Sequence, residues 1–269
     1  MNRQSPFNWI FLILSSLILL FIIAPLAGMF LQTTGSQLFS AVNDKAVTGS
    51  IWLTLWVAFS ATFLCALFAI PLAWLLARKN FPFKKLVQGA IDLPVVLPHT
   101  AAGIALLGFI SGDGLAGKAA SSVGLSLINN PAGIAVAMAF ASVPFLINSA
   151  RDGFASVPER LEKAALNLGA SSSRVFFTIS LPLAWRSIVS GFVMMFARGM
   201  SEFGAVVIIA YHPMTAPVLI YERFGSFGLN YARPAAVLFV IVALAVFIVL
   251  RLIPATKKEK TTAPDAETE

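Results

Sequence analysis

Six stretches of about twenty mainly apolar residues dominate this chain. They cover residues 9–31, 51–77, 89–110, 131–150, 188–211 and 234–250. A helix of about 20 apolar residues is what a bilayer core of ~30 Å requires. No soluble packing scheme has room for six such surfaces. Only 12% of the residues are charged and 58% are hydrophobic, and the mean hydropathy is +0.85. A soluble domain carries about 25% charged residues and would aggregate with this much apolar surface. The fold class is therefore all-α integral membrane protein with about six transmembrane helices. Residues 1–256 form the membrane domain, and the polar residues 257–269 form a disordered tail. The first stretch is longer than the apolar core of a signal peptide, about 7–15 residues, and is read as an uncleaved span.

The net charge of +7 is topological. Arg3, Arg78, Lys79, Lys84, Lys85, Arg151, Arg160, Lys163, Arg174, Arg186, Arg251, Lys257, Lys258 and Lys260 fall on one side of the six spans. Lys45, Lys118, Arg223 and Arg233 fall on the other. The positive-inside rule then puts both termini in the cytoplasm, as an even number of spans requires. No basic stripe with interleaved aromatics is present, so nucleic acid is not expected as a partner. Cys65 is alone and forms neither an intrachain disulfide nor a metal site. Gly133, Ala137 and Ala141 recur every four residues, which lets helix backbones approach closely.

Two spans carry ionisable residues, and at bilayer depth such residues are functional candidates. The fifth holds Arg198 and Glu202, four apart and so able to pair. Arg198 either belongs to an ion pair that orients the helix, lines a pathway that attracts an anion, or reaches Asp92 or Asn148. Glu202 weakens the anion reading by cancelling that charge. The third span holds Asp92, near its cytoplasmic end, and His99, a structural hydrogen-bonding group or a gate. None has the companions of a metal site or a nucleophile–base pair. The segment 112–119, GDGLAGKA, approaches a phosphate-binding loop but ends in Ala119, without the hydroxyl that holds Mg²⁺. The chain is not expected to bind ATP, a metal or another cofactor, or to catalyse a reaction.

The longest cytoplasmic loop, residues 151–186, has structure of its own. Pro158 precedes a helical stretch over 159–168, with Glu159 and Glu162 at its positive end. Leu161, Ala164, Ala165 and Leu168 share one face. Gly169 stands where a helix C-cap wants a positive φ. Ser171 to Ser173 offer an N-cap for a second short helix, stopped by Pro182. The spacing predicts a helix-turn-helix under the membrane.

The run Ala164-Ala165, three residues, Gly169, nine residues, Ile179, one residue, Leu181-Pro182 resembles the EAA loop of ABC importer permeases. Lys163 departs from it, standing where the motif has glutamate, with Glu162 just before. The stretches 92–107, around Val143-Pro144, and 197–205 are similar to the molybdate/tungstate branch of that family, and less closely to its sulfate branch. The resemblance implies that the loop couples to a cytoplasmic ATPase through Glu162, Lys163, Ala164, Ala165, Gly169, Ile179, Leu181 and Pro182. It implies a homodimer, two ATPase subunits that bind ATP and Mg, an external oxyanion-binding protein and a tetrahedral oxyanion as cargo in a prokaryotic plasma membrane. His99, Arg198 and Glu202 are candidates for its pathway or gate. A proton-coupled secondary transporter using Asp92, Glu202 and His99, and an intramembrane enzyme, are the competing classes. Neither needs such a loop.

Overall fold

A computed structural model describes residues 6–252. The tail 257–269 and the charges at Arg3, Lys257, Lys258 and Lys260 lie outside the described residues, which are helical with connecting turns and contain no strand. In chain order the helices are α1 Pro6–Leu31, α2 Gly35–Asn43, α3 Lys45–Arg78, α4 Lys84–Val96, α5 His99–Ile110, α6 Leu115–Ser121 and α7 Pro131–Ser156. They continue with α8 Glu159–Asn167, α9 Ser172–Val175, a π-turn Phe176–Ser180, α10 Leu181–Met200, α11 Gly204–Ile209, α12 Ala216–Phe227 and α13 Leu229–Leu252.

Five helices are long and apolar enough to cross a membrane: α1, α3, α7, α13, and the continuous Ser172–Met200 that joins α9 to α10. At 1.5 Å per residue even the shortest, α13, reaches about 36 Å. The remaining stretch, residues 89–110, is not one straight span. It is split between α4 and α5, with a bend of 113° from one to the other. Each half is about 18–20 Å long, too short to cross alone. Pro98 lacks an N–H, and the residue before a proline is pushed out of the α region. Leu97 is accordingly extended, with φ −69° and ψ 138°.

The fifth span also differs from 188–211. It begins at Ser172 and ends at Met200, and a break at Ser201–Phe203 leads into the short α11. Pro182 does not stop the preceding helix. The π-turn shifts backbone pairing, so that Leu181 N–H reaches Phe176 O five residues back. That wider turn makes room for a ring which would otherwise press on the carbonyl four residues earlier.

The centre of the bundle is α7, packed between α3 and α10. Gly133, Ala137 and Ala141 are all buried there, as their spacing requires. Phe154, Leu146 and Met195 fill the end near α8, and Ile134, Met138 and Val206 the opposite end. No residue of the apolar window of α1 is buried.

Polar side chains tie the bundle at the end away from α8. Asp44 caps α3, with Oδ1 accepting from Ala46 N–H at 2.8 Å. Arg223 Nη2 donates to Asp44 Oδ2 at 2.6 Å, joining α12 to the start of α3. That hydrogen bond holds the Asp44 carboxyl below the usual carboxylate range, against a smaller opposing effect of burial. Thr54 Oγ1, buried in α3, accepts from Ala216 N–H at 2.8 Å and satisfies the first amide of α12.

Candidate functional site

Two polar clusters stand out, one around α8 and one between the two broken stretches. The first surrounds α8. Pro158 precedes this helix, Glu159 and Glu162 lie in its first turn, and Gly169 follows with φ +86°. No atom lies within 4 Å of a Cβ built on Gly169, so the positive φ is what calls for glycine there. Ser171 Oγ accepts from Arg174 N–H and caps α9. The connecting segment is shorter than residues 151–186, because α7 runs on to Ser156 and α9 continues into α10.

The face that carries Leu161, Ala164 and Leu168 is not covered. All three are exposed, Leu168 to 88%, and Ala165 is half-buried. Lys163 also points outward and pairs with Glu159 at 2.8 Å. That partner holds the Glu159 carboxyl below its usual range. Ile179 and Leu181 are half-buried in and after the π-turn, and Pro182 is exposed at the start of α10.

Glu162 points the other way, into the bundle. Its carboxylate accepts from Arg78 Nε and Nη2, both at 2.9 Å, and from Ser180 Oγ at 2.7 Å. Arg78 and Ser180 are members of this candidate site that the sequence does not point to. Arg78 counts there only as one more topological charge, and nothing in the spacing pairs positions 78 and 162. Lys163 departs from the motif at an exposed position, while Glu162 occupies the buried one.

The second cluster joins the two broken stretches. His99 opens α5 just after Pro98, and Glu202 lies in the break after α10. Arg198 Nη1 lies 2.9 Å from Glu202 Oε2. Its Nη2 lies 3.2 Å from His99 Nδ1 and 3.0 Å from Nε2, and His99 Nδ1 is 3.4 Å from Glu202 Oε2. Glu202 Oε1 also accepts from Ala205 N–H at 3.0 Å, satisfying an amide of the first turn of α11. The Glu202 side chain is 1% exposed, Arg198 24% and His99 48%.

Close backbone approach holds this arrangement. A Cβ on Gly204 would lie 2.6 Å from His99 Cβ, and one on Gly103 2.9 Å from Ala205 Cα. Only glycine lets α5 and α11 touch this way. The sequence offers the Arg198–Glu202 pair and groups His99 with both as pathway candidates, and the structure brings the three side chains within 3.4 Å of one another. Asp92 and Asn148 are not partners of Arg198. They pair with each other across α4 and α7, Asn148 Nδ2 donating to Asp92 Oδ1 at 2.6 Å. Segment 112–119 forms the turn before α6 and most of that helix, with no strand ahead of it.

Comparisons with known proteins agree with this layout. The molybdate/tungstate transport system permease protein WtpB of Pyrococcus furiosus is 43% identical over 253 residues, covering 93% of this chain and 96% of that protein. A probable sulfate transport system permease protein of Chlorokybus atmophyticus is 36% identical over 200 residues, covering 73% of this chain and 69% of the other. The crystal structure of a bacterial ABC transporter involved in the import of the acidic polysaccharide alginate has a chain of the same fold. Its TM-score is 0.72 at 17% identity, with 94% of this chain and 97% of that chain covered. Residues 69–255 match the family model described as the binding-protein-dependent transport system inner membrane component. With that match spanning most of its length, and with the helical membrane architecture the match implies, this chain belongs to the family of binding-protein-dependent transport system inner membrane components.

Proposed function

We propose that this chain is the membrane-spanning subunit of an ATP-driven importer for a tetrahedral oxyanion, molybdate or tungstate. The higher identity and fuller coverage of the molybdate/tungstate relative, compared with the sulfate one, favour those anions. Two copies form the pathway about a two-fold axis. Two cytoplasmic ATPase subunits bind ATP and Mg, and an external binding protein delivers the anion. Both termini are cytoplasmic in the plasma membrane of a prokaryote, with α8 on the cytoplasmic side, in keeping with the positive charges near that end of the bundle.

The observation that carries the ATP-driven reading is the divided surface of α8. One side is locked into the bundle through Glu162, and the other presents Leu161, Ala164 and Leu168 with no cover. An amphipathic helix with a bare apolar face fits a groove on a partner. Docked in an ATPase groove, α8 receives the closure of the ATPase pair. Gly169, Ile179, Leu181 and Pro182 form the turn and the wide-turn junction that hand the movement to α10. Lys163, exposed beside Ala164, adds a polar contact at the rim.

His99 supports the pathway reading. An imidazole half exposed on an apolar bundle does not face lipid and faces water or the second copy. Because Glu202 offsets Arg198, the cluster carries little fixed charge. It suits a gate that lets an anion pass and does not trap it.

The test places Leu168→Cys in a background lacking Cys65, co-expressed with the partner ATPase. A bifunctional reagent that joins this thiol to an amine of the ATPase should cross-link the two subunits, with a yield that changes on nucleotide binding. If the thiol introduced by Leu168→Cys is reactive but never cross-links to the assembled ATPase, the docking role is contradicted.

A further inference from the structure

Arg78 is the last residue of α3, and its guanidinium fork is directed at Glu162. Nε donates to Glu162 Oε2 and Nη2 to Oε1, each at 2.9 Å, and Nη2 also donates to Val157 O at 2.8 Å. Ser180 Oγ donates to the same Oε1. The Arg78 and Glu162 side chains are 7% and 11% exposed, and Ser180 is fully buried. A two-pronged guanidinium–carboxylate pair fixes direction as well as distance. The Arg78–Glu162 pair thus gathers four segments: the end of α3, the turn after α7 through Arg78 Nη2, α8 itself, and through Ser180 the π-turn that opens into α10.

We infer that Arg78 is a positioning residue that makes α3 a second output of α8, so that a stroke on α8 moves α3 together with α10. Chain continuity already ties α8 to α7 through Val157–Pro158 and to α10 through the Gly169 turn. It does not tie α8 to α3, because Arg78 precedes Glu162 by 84 residues. The Arg78 fork supplies that link. Its burial makes it stiff, since a shielded pair that separates leaves an unmatched charge. The π-turn beside it is a wide, adaptable segment of the kind that recurs at functional sites. The inference rests on the reading of α8 as the segment that receives the ATPase stroke.

The test uses the complete importer, with its ATPase and binding protein, in liposomes. It compares wild type with Arg78→Lys, which keeps the charge and loses the fork, and with Arg78→Met. ATP hydrolysed per tungstate imported is measured together with recovery of the assembled complex. A parallel measurement follows the distance between spin labels at Leu75→Cys on α3 and Leu166→Cys on α8, in a background lacking Cys65. In the wild-type chain the label distance should stay narrow and constant through the nucleotide cycle. Both Arg78 variants should assemble and hydrolyse ATP, with the ATP used per anion raised at least fivefold and the label distance broadened. An unchanged ratio and an unchanged distance in Arg78→Met would overturn the inference. So would failure of both variants to insert or assemble, since the pair would then be a folding element. A wild-type complex without ATP-dependent uptake would instead contradict the reading of α8 itself, before any substitution at Arg78.

Discussion

Arg198 and Glu202 stand four residues apart, yet the helix ends between them. Met200 closes α10, and Glu202 reaches back across the break to place Oε2 2.9 Å from Arg198 Nη1. The same carboxylate satisfies the Ala205 amide. One buried acid therefore holds the end of one helix and the start of the next, beside a histidine from the other broken stretch.

Arg198→Gln should destabilise the protein by about 3 kcal/mol or more, because it leaves the buried Glu202 charge without its partner. The double variant Arg198→Gln/Glu202→Gln should recover much of that loss. Thermal unfolding in detergent measures both. If the double variant restores the fold but not uptake, the pair serves the pathway as well as the structure. Equal melting temperatures for wild type and Arg198→Gln would contradict the buried-pair account.

Gly169→Val places a β-branched residue at φ +86°. Strain of about 1–3 kcal/mol follows in the α8 turn, not in the bundle. Membrane insertion and dimer formation should be normal, with binding-protein-stimulated hydrolysis and uptake lost. Gly169→Asn, which tolerates positive φ better, should keep most of both. Wild-type transport by Gly169→Val would remove this turn from the coupling route.

Gly204→Val should push α11 away from His99, whose Cβ lies 2.6 Å from where the new side chain begins. Overpacking at such a contact costs about 1–3 kcal/mol. The expected result is a lower melting temperature together with altered reactivity of a cysteine placed at position 99. Unchanged values of both would show that the two broken stretches do not depend on this contact.

Asp44 gives a pH signature. Its folded-state pKa is lowered, chiefly by the Arg223 hydrogen bond. The stability it contributes is therefore complete above the unfolded value of about 3.9 and is lost as pH falls through the lower folded value. Melting temperatures should show no Asp44 contribution to pH dependence between pH 7 and 5, and an Asp44-dependent fall below about pH 4. Asp44→Asn keeps an N-cap but loses the ion pair, so that acid-dependent part should vanish. An Asp44→Asn melting curve parallel to wild type down to pH 3 would contradict the assignment.

The spans, the α8 helix and the Gly169 turn were legible because each rests on local information. Twenty apolar residues, a helical apolar face and a glycine after the last turn are visible within a short window. The split at Leu97–Pro98 is absent from the sequence reading, which makes residues 89–110 one span; the 113° bend there goes with a close approach of α5 to α11 at Gly103 and Gly204, a contact between distant positions. Pro182 misled, because a π-turn absorbs it and the helix runs on. The links between Arg78 and Glu162, Thr54 and Ala216, and Arg223 and Asp44 join positions far apart in sequence. No periodicity within one chain reports such partners. The short helices α2 and α12, between the spans, lack the length that makes a span conspicuous.

The most direct test of the central claim measures ATP hydrolysis and tungstate uptake together in liposomes containing this chain, its partner ATPase and the external binding protein. The account predicts uptake only when all three proteins and ATP are present, tungstate and molybdate outcompeting sulfate, and neither uptake nor hydrolysis by this chain alone. Robust uptake by this chain alone, driven by a proton gradient and indifferent to ATP, would contradict it.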